Sequence, residues 1–173
     1  MIDLLLDRVD SPVGELLVVS DGNALLALDY AGYEPRMEAL LRRRFGEIGL
    51  RPARDPCAIN SRLNAYFEGD LSAIEPIPVG TGGTSFQHEV WSELRRIAPG
   101  SSITYGELAA RLGRSPTASR AVGLANSLNP IAIVIPCHRV IGANAQLTGY
   151  AGGLERKDWL LHHEGAQLPL LQR

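Results

Sequence analysis

Cys137 stands between Pro136 and the pair His138-Arg139, at the end of the apolar run IAIVI at 131–135. A thiol beside an imidazole points to nucleophilic chemistry, because the thiolate is the reactive form and a histidine within reach can take its proton. Adjacency does not make the two side chains meet. Neighbours on a strand point to opposite faces, so a turn or a bridging water must join them. A Cys–His pair works best when a third group fixes the ring. Glu155, Asp158 and Glu164 are the candidates, on a predicted helix LERKDWLLHHEG that Gly165 ends. Glu164 is favoured: an acid in the last turn opposes the helix dipole and needs a positive or hydrogen-bonding partner. The competing chemistry is a zinc site from Cys137, His138, His162 and His163, although adjacent Cys-His and His-His pairs lack the spacers of ordinary zinc ligands. Cys57, in RDPCAIN, has nothing nearby in sequence to activate it and reads as a small buried hydrophobe.

The elements that must hold these groups follow from local signals. Pro136 biases Ile135 toward extended backbone and cannot donate to a strand ladder, so IAIVI is expected to be a strand with Cys137 at its end, facing a cleft. Upstream, Thr84 with Gln87 forms a capping box for a helix through Ile97, ended by Pro99-Gly100. Thr104 with Glu107 forms another for TYGELAARLG, ended by Gly113, and Ser115-Pro116 supplies an N-cap and first-turn proline for a helix to about Ser127. The last two helices make a helix-turn-helix candidate. Its second helix, PTASRAVGLANS, is nearly all small residues apart from Arg120, Val122 and Leu124. Two readings fit it: close approach to something narrow, or tight packing on neighbouring helices.

The amino-terminal part reads differently. LLLDRV, GELLVVS and ALLALDY, separated by Ser11-Pro12 and Asp21-Gly22-Asn23, predict an antiparallel meander. PRMEALLRRRFG predicts a helix with Met37, Leu40, Leu41 and Phe45 on one face and Gly46 as its stop, and INSRLNAYFEG a second. The Pro- and Gly-rich 72–84 is the expected linker. The expected fold class is thus α/β (α+β): an antiparallel-sheet domain with helices at 1–80, then a mainly helical, winged-helix-like domain at 81–173.

At 173 residues and 45% hydrophobic content the chain can bury a substantial core. No run approaches a membrane span, and the acidic start MIDLLLDRVD lacks a signal peptide's basic region, so neither a membrane partner nor export is expected. Two cysteines 80 positions apart do not suggest a disulfide framework; reduced thiols and a cytoplasmic location are expected. The net charge of −2 hides an asymmetry. Residues 1–85 carry 8 Arg against 13 Asp and Glu, residues 86–173 carry 9 Lys and Arg against 6 Asp and Glu. A polyanion partner for the second part and an ordinary solvated surface both fit.

The second half resembles the O6-alkylguanine-DNA alkyltransferases (methylated-DNA–protein-cysteine methyltransferases), single-use DNA repair proteins. The resemblance rests on IPCHRVIG, TGYAGG, KDWLLHHEG, SLNP, TYGELA and SRAVG, in order across residues 84–165, and the meander resembles the family's first domain. It implies that Cys137 is the alkyl acceptor, His138 its base through a water, and Glu164 the group that orients His138. Asn129 would brace the turn before the active-site segment. Tyr105 would rotate the target phosphate and donate a proton near the guanine. Arg120 would enter the base stack as the alkylated base is flipped out. Ala118, Ser119, Ala121 and Gly123 would lie in the minor groove of double-stranded DNA, and Tyr150, Ala151 and Val140 would line the base pocket. Ala151 stands where some members have serine, leaving only its backbone N–H to serve there. The family's amino-terminal zinc ligands have no counterpart beyond His88, so no metal, no cofactor and a monomeric protein are expected.

Physical chemistry agrees with that picture. An alkyl group on guanine O6 is inaccessible inside a duplex, so the base must be flipped, and small side chains suit a minor groove about 6 Å wide. A thioether offers water no leaving group, so the protein would be consumed. Three rivals remain. A non-catalytic alkyltransferase-like sensor would lack Cys137, a helix-turn-helix regulator would carry more base-reading side chains, and a cysteine hydrolase would need an oxyanion hole.

Overall fold

Asp21 shows how the amino-terminal turns are made: its Oδ1 accepts from the N–H groups of Asn23 and Ala24 while its own N–H donates to the Ala24 carbonyl, so side chain and backbone together reverse the chain. The computed structural model describes residues 1–166; the end of the expected second domain lies outside them. Strands β1 (Ile2–Val9), β2 (Leu16–Ser20) and β3 (Leu25–Tyr30) pair antiparallel in chain order, with Val9 opposite Leu16 and Leu16 opposite Tyr30. Helix α1 (Glu34–Phe45) carries Pro35 in its first turn and stops at Gly46, whose φ of 76° favours glycine.

The meander is one strand short of the real sheet. β4 (Ile48–Pro52) lies parallel to β1, with Ile2 opposite Ile48, so the order is β3-β2-β1-β4 and the sheet is mixed rather than antiparallel. Met37 and Leu41 of α1 join Leu4, Leu17, Val19, Leu26 and Ile48 in one apolar cluster, which explains why the crossover helix packs there. Helix α2 (Ile59–Phe67) buries Ile59, Leu63 and Tyr66. Cys57 precedes it and is exposed, contrary to the buried hydrophobe expected; its Sγ–H donates to the Gly22 carbonyl.

Two compact units result. One comprises Met1–Gly83 with Pro130–Val134; the other begins at Thr84, runs to Asn129 and resumes at Ile135. IAIVI is therefore not the strand expected. Ile131 forms a single bridge to Leu28, Ile133 is buried at φ 69°, and the chain turns immediately. A β-branched residue takes that conformation only where its surroundings impose it.

The second unit is helical. α3 (Ser85–Leu94) and α4 (Tyr105–Arg111) both start in complete capping boxes, from Thr84 with Gln87 and Thr104 with Glu107. β5 (Ile103–Thr104) precedes α4. The Ser115 hydroxyl accepts from the Thr117 N–H at a 3₁₀ turn, Pro116–Ala118, which leads into α5 (Ser119–Ser127). Trp91 Nε1–H donates to the Ala125 carbonyl (2.9 Å), tying α3 to α5. β6 (Val140–Ile141) runs parallel to β5, and α6 (Leu154–His163) ends at Glu164. No helix of the described residues is long and apolar enough to cross a membrane.

Candidate active site

Cys137 reaches its place through tight turns. Pro136, at φ −81° and ψ 64°, is the centre of an inverse γ-turn in which the Cys137 N–H donates to the Ile135 carbonyl (2.8 Å). Proline loses nothing by lacking a donor there. A single 3₁₀ turn follows, Cys137–Arg139, closed by the Arg139 N–H on the Pro136 carbonyl. Consecutive side chains are then spread around a helix axis instead of alternating across a strand. Asn129 supports the same point, its Nδ2 donating to the Ile135 carbonyl (2.8 Å).

His138 is completely buried, and its Nε2 lies 2.8 Å from Glu164 Oε1. Glu164 is ionised, so Nε2 carries the proton and Nδ1 is left as an acceptor; Nδ1 has no partner among the described residues. Burial pulls the imidazole below its ordinary value, and the Glu164 charge opposes this without reversing it, so the ring is neutral and able to accept a proton. Burial also opposes ionisation of Glu164. His138 and Arg139 outweigh it and hold the carboxyl well below the usual carboxylate range. The arginine does so with a fork: Nε donates to Oε2 (2.9 Å), Nη2 to Oε1 (2.8 Å), and Nη1 is satisfied by the Ile97 carbonyl (2.6 Å). Glu164, at the C-cap of α6, thus gains the partners its position demands.

A second buried cation organises the other side. Lys157 is fully buried, and its Nζ donates to the carbonyls of Val140 (2.6 Å), Thr148 (2.8 Å) and Gly149 (3.4 Å). One ammonium therefore clamps both ends of the 141–149 loop. Burial pushes this amine down to about 8, while negative charge on Cys137 pulls it the other way.

Tyr105, the first residue of α4, is half-buried. A Cβ added at Gly123 would touch its ring at 3.7 Å, one at Gly149 would meet its hydroxyl at 4.0 Å, and the side chains of Thr148 and Asn126 flank that hydroxyl. Burial raises the phenol above its ordinary value and the Cys137 charge adds to it, so Tyr105 keeps its proton as a potential donor. Val140 is buried, Tyr150 half-buried and Ala151 exposed. The helix-turn-helix presents Arg120 and Ala121 exposed, with Ala118, Ser119 and Gly123 partly covered; the Arg120 guanidinium has no partner among the described residues.

The structure thus brings together Cys137, His138, Glu164 and Asn129, with Tyr105 close enough to feel the thiolate. Glu155 is exposed and Asp158 pairs with His162, so neither holds His138. The described residues contain no group of three His, Cys, Asp or Glu side chains placed to hold a metal ion. Sequence reasoning assigns no role to Arg139, Lys157 or Asn126. A signal exists for Lys157: it lies three and four residues before the buried Leu160 and Leu161, on the face that also carries Glu164.

Comparison with known proteins matches this arrangement. Residues 85–166 match the family model of the 6-O-methylguanine DNA methyltransferase DNA-binding domain. The methylated-DNA–protein-cysteine methyltransferase of Salmonella typhimurium is 49% identical over 168 residues, 95% of this chain and 98% of that one. The crystal structure of Mycobacterium tuberculosis O6-methylguanine methyltransferase superposes with a TM-score of 0.79 at 39% identity, over 96% of this chain and 95% of that one. The same protein solved in complex with DNA superposes with a TM-score of 0.79 at 38% identity, over 96% and 98%. With a buried Cys-His-Glu constellation on a helix-turn-helix unit and relatives of this identity along nearly the whole chain, the protein belongs to the methylated-DNA–protein-cysteine methyltransferase family.

Proposed function

We propose that this protein repairs O6-alkylguanine in double-stranded DNA by transferring the alkyl group to Cys137 in one irreversible turnover. The observation that carries the reading is the neutral, buried His138, fixed through Nε2 by Glu164, with Nδ1 left for the thiol that precedes it. His138 takes the thiol proton through a water. The thiolate then attacks the alkyl carbon in line; the S–C bond forms as the C–O6 bond breaks, and the electron pair remains with the guanine. Tyr105 donates the proton that neutralises the base, and the proton held by His138 returns to Tyr105 through solvent. No cofactor enters this balance.

The base reaches Cys137 by flipping out of the duplex. α5 enters the minor groove through Ala118, Ser119, Ala121 and Gly123, with Arg120 filling the gap in the stack, while Tyr150, Ala151 and Val140 bound the pocket. The protein acts as a monomer in the cytoplasm, where thiols stay reduced. A non-catalytic sensor has no use for this buried thiol and its base. Incubation with methylated duplex, followed by intact-protein mass spectrometry, tests the reading. A gain of one methyl group on the Cys137 peptide, with no more than one lesion repaired per protein, is expected. Continued turnover, or alkylation at Cys57, refutes it.

A further inference from the structure

Asn126 lies on α5, one residue beyond the carbonyl that holds Trp91, and is 4% exposed. Its Nδ2 donates to the Cys137 carbonyl (3.4 Å), and because a carbonyl can only accept, the arm facing it is assigned as nitrogen. The other arm, Oδ1, is buried with no hydrogen-bond partner among the described residues. The same side chain flanks the Tyr105 hydroxyl. One carboxamide thus spans from the main chain of the alkyl acceptor to the phenol, and its acceptor oxygen has no partner among the described residues. A buried acceptor is costly to keep unpaired, so a polar side chain at this point is explained by a donor that arrives with the substrate.

Resting on the alkyl-transfer reading, we propose that Asn126 is a specificity-determining residue of the base pocket, its Oδ1 accepting a hydrogen bond from the exocyclic 2-amino group of the flipped O6-alkylguanine. The chemistry of the lesion singles out that group. Alkylation at O6 removes the N1 proton, which leaves the 2-amino group as the base's remaining N–H donor. O4-alkylthymine has lost its N3 proton and offers no N–H at all. Asn126 therefore favours the purine lesion over the pyrimidine one.

The test compares single-turnover alkylation of Cys137 by duplexes carrying O6-methylguanine or O6-methylhypoxanthine, the same base without the amino group, in the wild type, Asn126→Leu and Asn126→Ser. The wild type should react faster with methylguanine by about 10- to 100-fold. Asn126→Leu should abolish the preference, its methylguanine and methylhypoxanthine rates agreeing within about twofold. Equal rates in the wild type overturn the proposal without any variant, which covers a leucine protein that fails to fold. A wild-type ratio preserved in the variants overturns it too. So does an equal fall on both bases, which is the result if Oδ1 serves Tyr105 instead. If neither base alkylates Cys137 in the wild type, the alkyl-transfer reading fails along with it.

Discussion

Arg139→Met removes the fork that keeps Glu164 ionised. Three buried hydrogen bonds go with it: two to the carboxylate at 2.8 and 2.9 Å and one to the Ile97 carbonyl at 2.6 Å. Breaking a buried ion pair by deleting one partner costs about 3–5 kcal/mol, because the remaining charge is left without compensation. For a chain of this length roughly 2–4 °C of Tm accompanies each kcal/mol, so the midpoint should fall by about 6–20 °C. Glu164→Gln strands the arginine instead and should cost a similar amount. The double variant Arg139→Met/Glu164→Gln has neither charge, so its loss should be smaller than the sum of the single losses by about 1–3 kcal/mol. Urea unfolding of all four proteins measures this. Acid dependence gives a second readout. The folded Glu164 carboxyl lies below its unfolded value of about 4.3, so its contribution is complete above that pH and is lost as pH falls toward the folded value. That acid-side slope should shrink in the double variant. Additivity within about 0.5 kcal/mol, or a single-variant loss below about 1 kcal/mol, would refute the reasoning.

Replacing His138 by Ala or Glu164 by Gln should slow single-turnover transfer by roughly 10²–10⁴, with a smaller effect on DNA affinity; unchanged rates in both remove them from the chemistry. Lys157, held at about 8 when folded against roughly 10.4 unfolded, binds fewer protons than the unfolded chain between those values, so stability should rise with pH from about 8 to 10. Lys157→Met should be flat over that window by urea midpoint, and an unchanged slope counts against a buried ammonium. Gly100 sits at φ 84°, and a Cβ there would lie 3.0 Å from the Glu164 carbonyl oxygen, so Gly100→Ala should cost about 1–3 kcal/mol and slow transfer; an unaltered Tm and rate contradict this. Arg120→Ala and Arg120→Lys should both lose repair of duplex DNA while keeping most activity on free O6-alkylguanine base. Near-normal duplex repair by the lysine protein would leave Arg120 only a phosphate contact.

Much of this molecule is legible in its residues because the signals are local. Capping boxes act over three positions, and Thr84 with Gln87, Thr104 with Glu107, and Ser115 before Pro116 start helices where their hydroxyls can reach the next free N–H. Helix polarity likewise marks Glu164, an acid stranded at the end of α6, as in need of a partner, and the structure gives it His138 and Arg139. What remained hidden depends on which distant segments meet. IAIVI is a short apolar run whose periodicity cannot separate a strand from a buried turn, and packing, not propensity, puts Ile133 at a positive φ and Pro136 in a γ-turn. β4 is five residues long with glycine and proline in it, and becomes a strand only because β1 offers it a parallel edge. Arg139, Lys157 and Asn126 look like surface residues in a linear chain. Burial is affordable for them only once tertiary folding delivers Glu164, three loop carbonyls and the Cys137 carbonyl as partners, since a polar group leaves water only where such partners replace it.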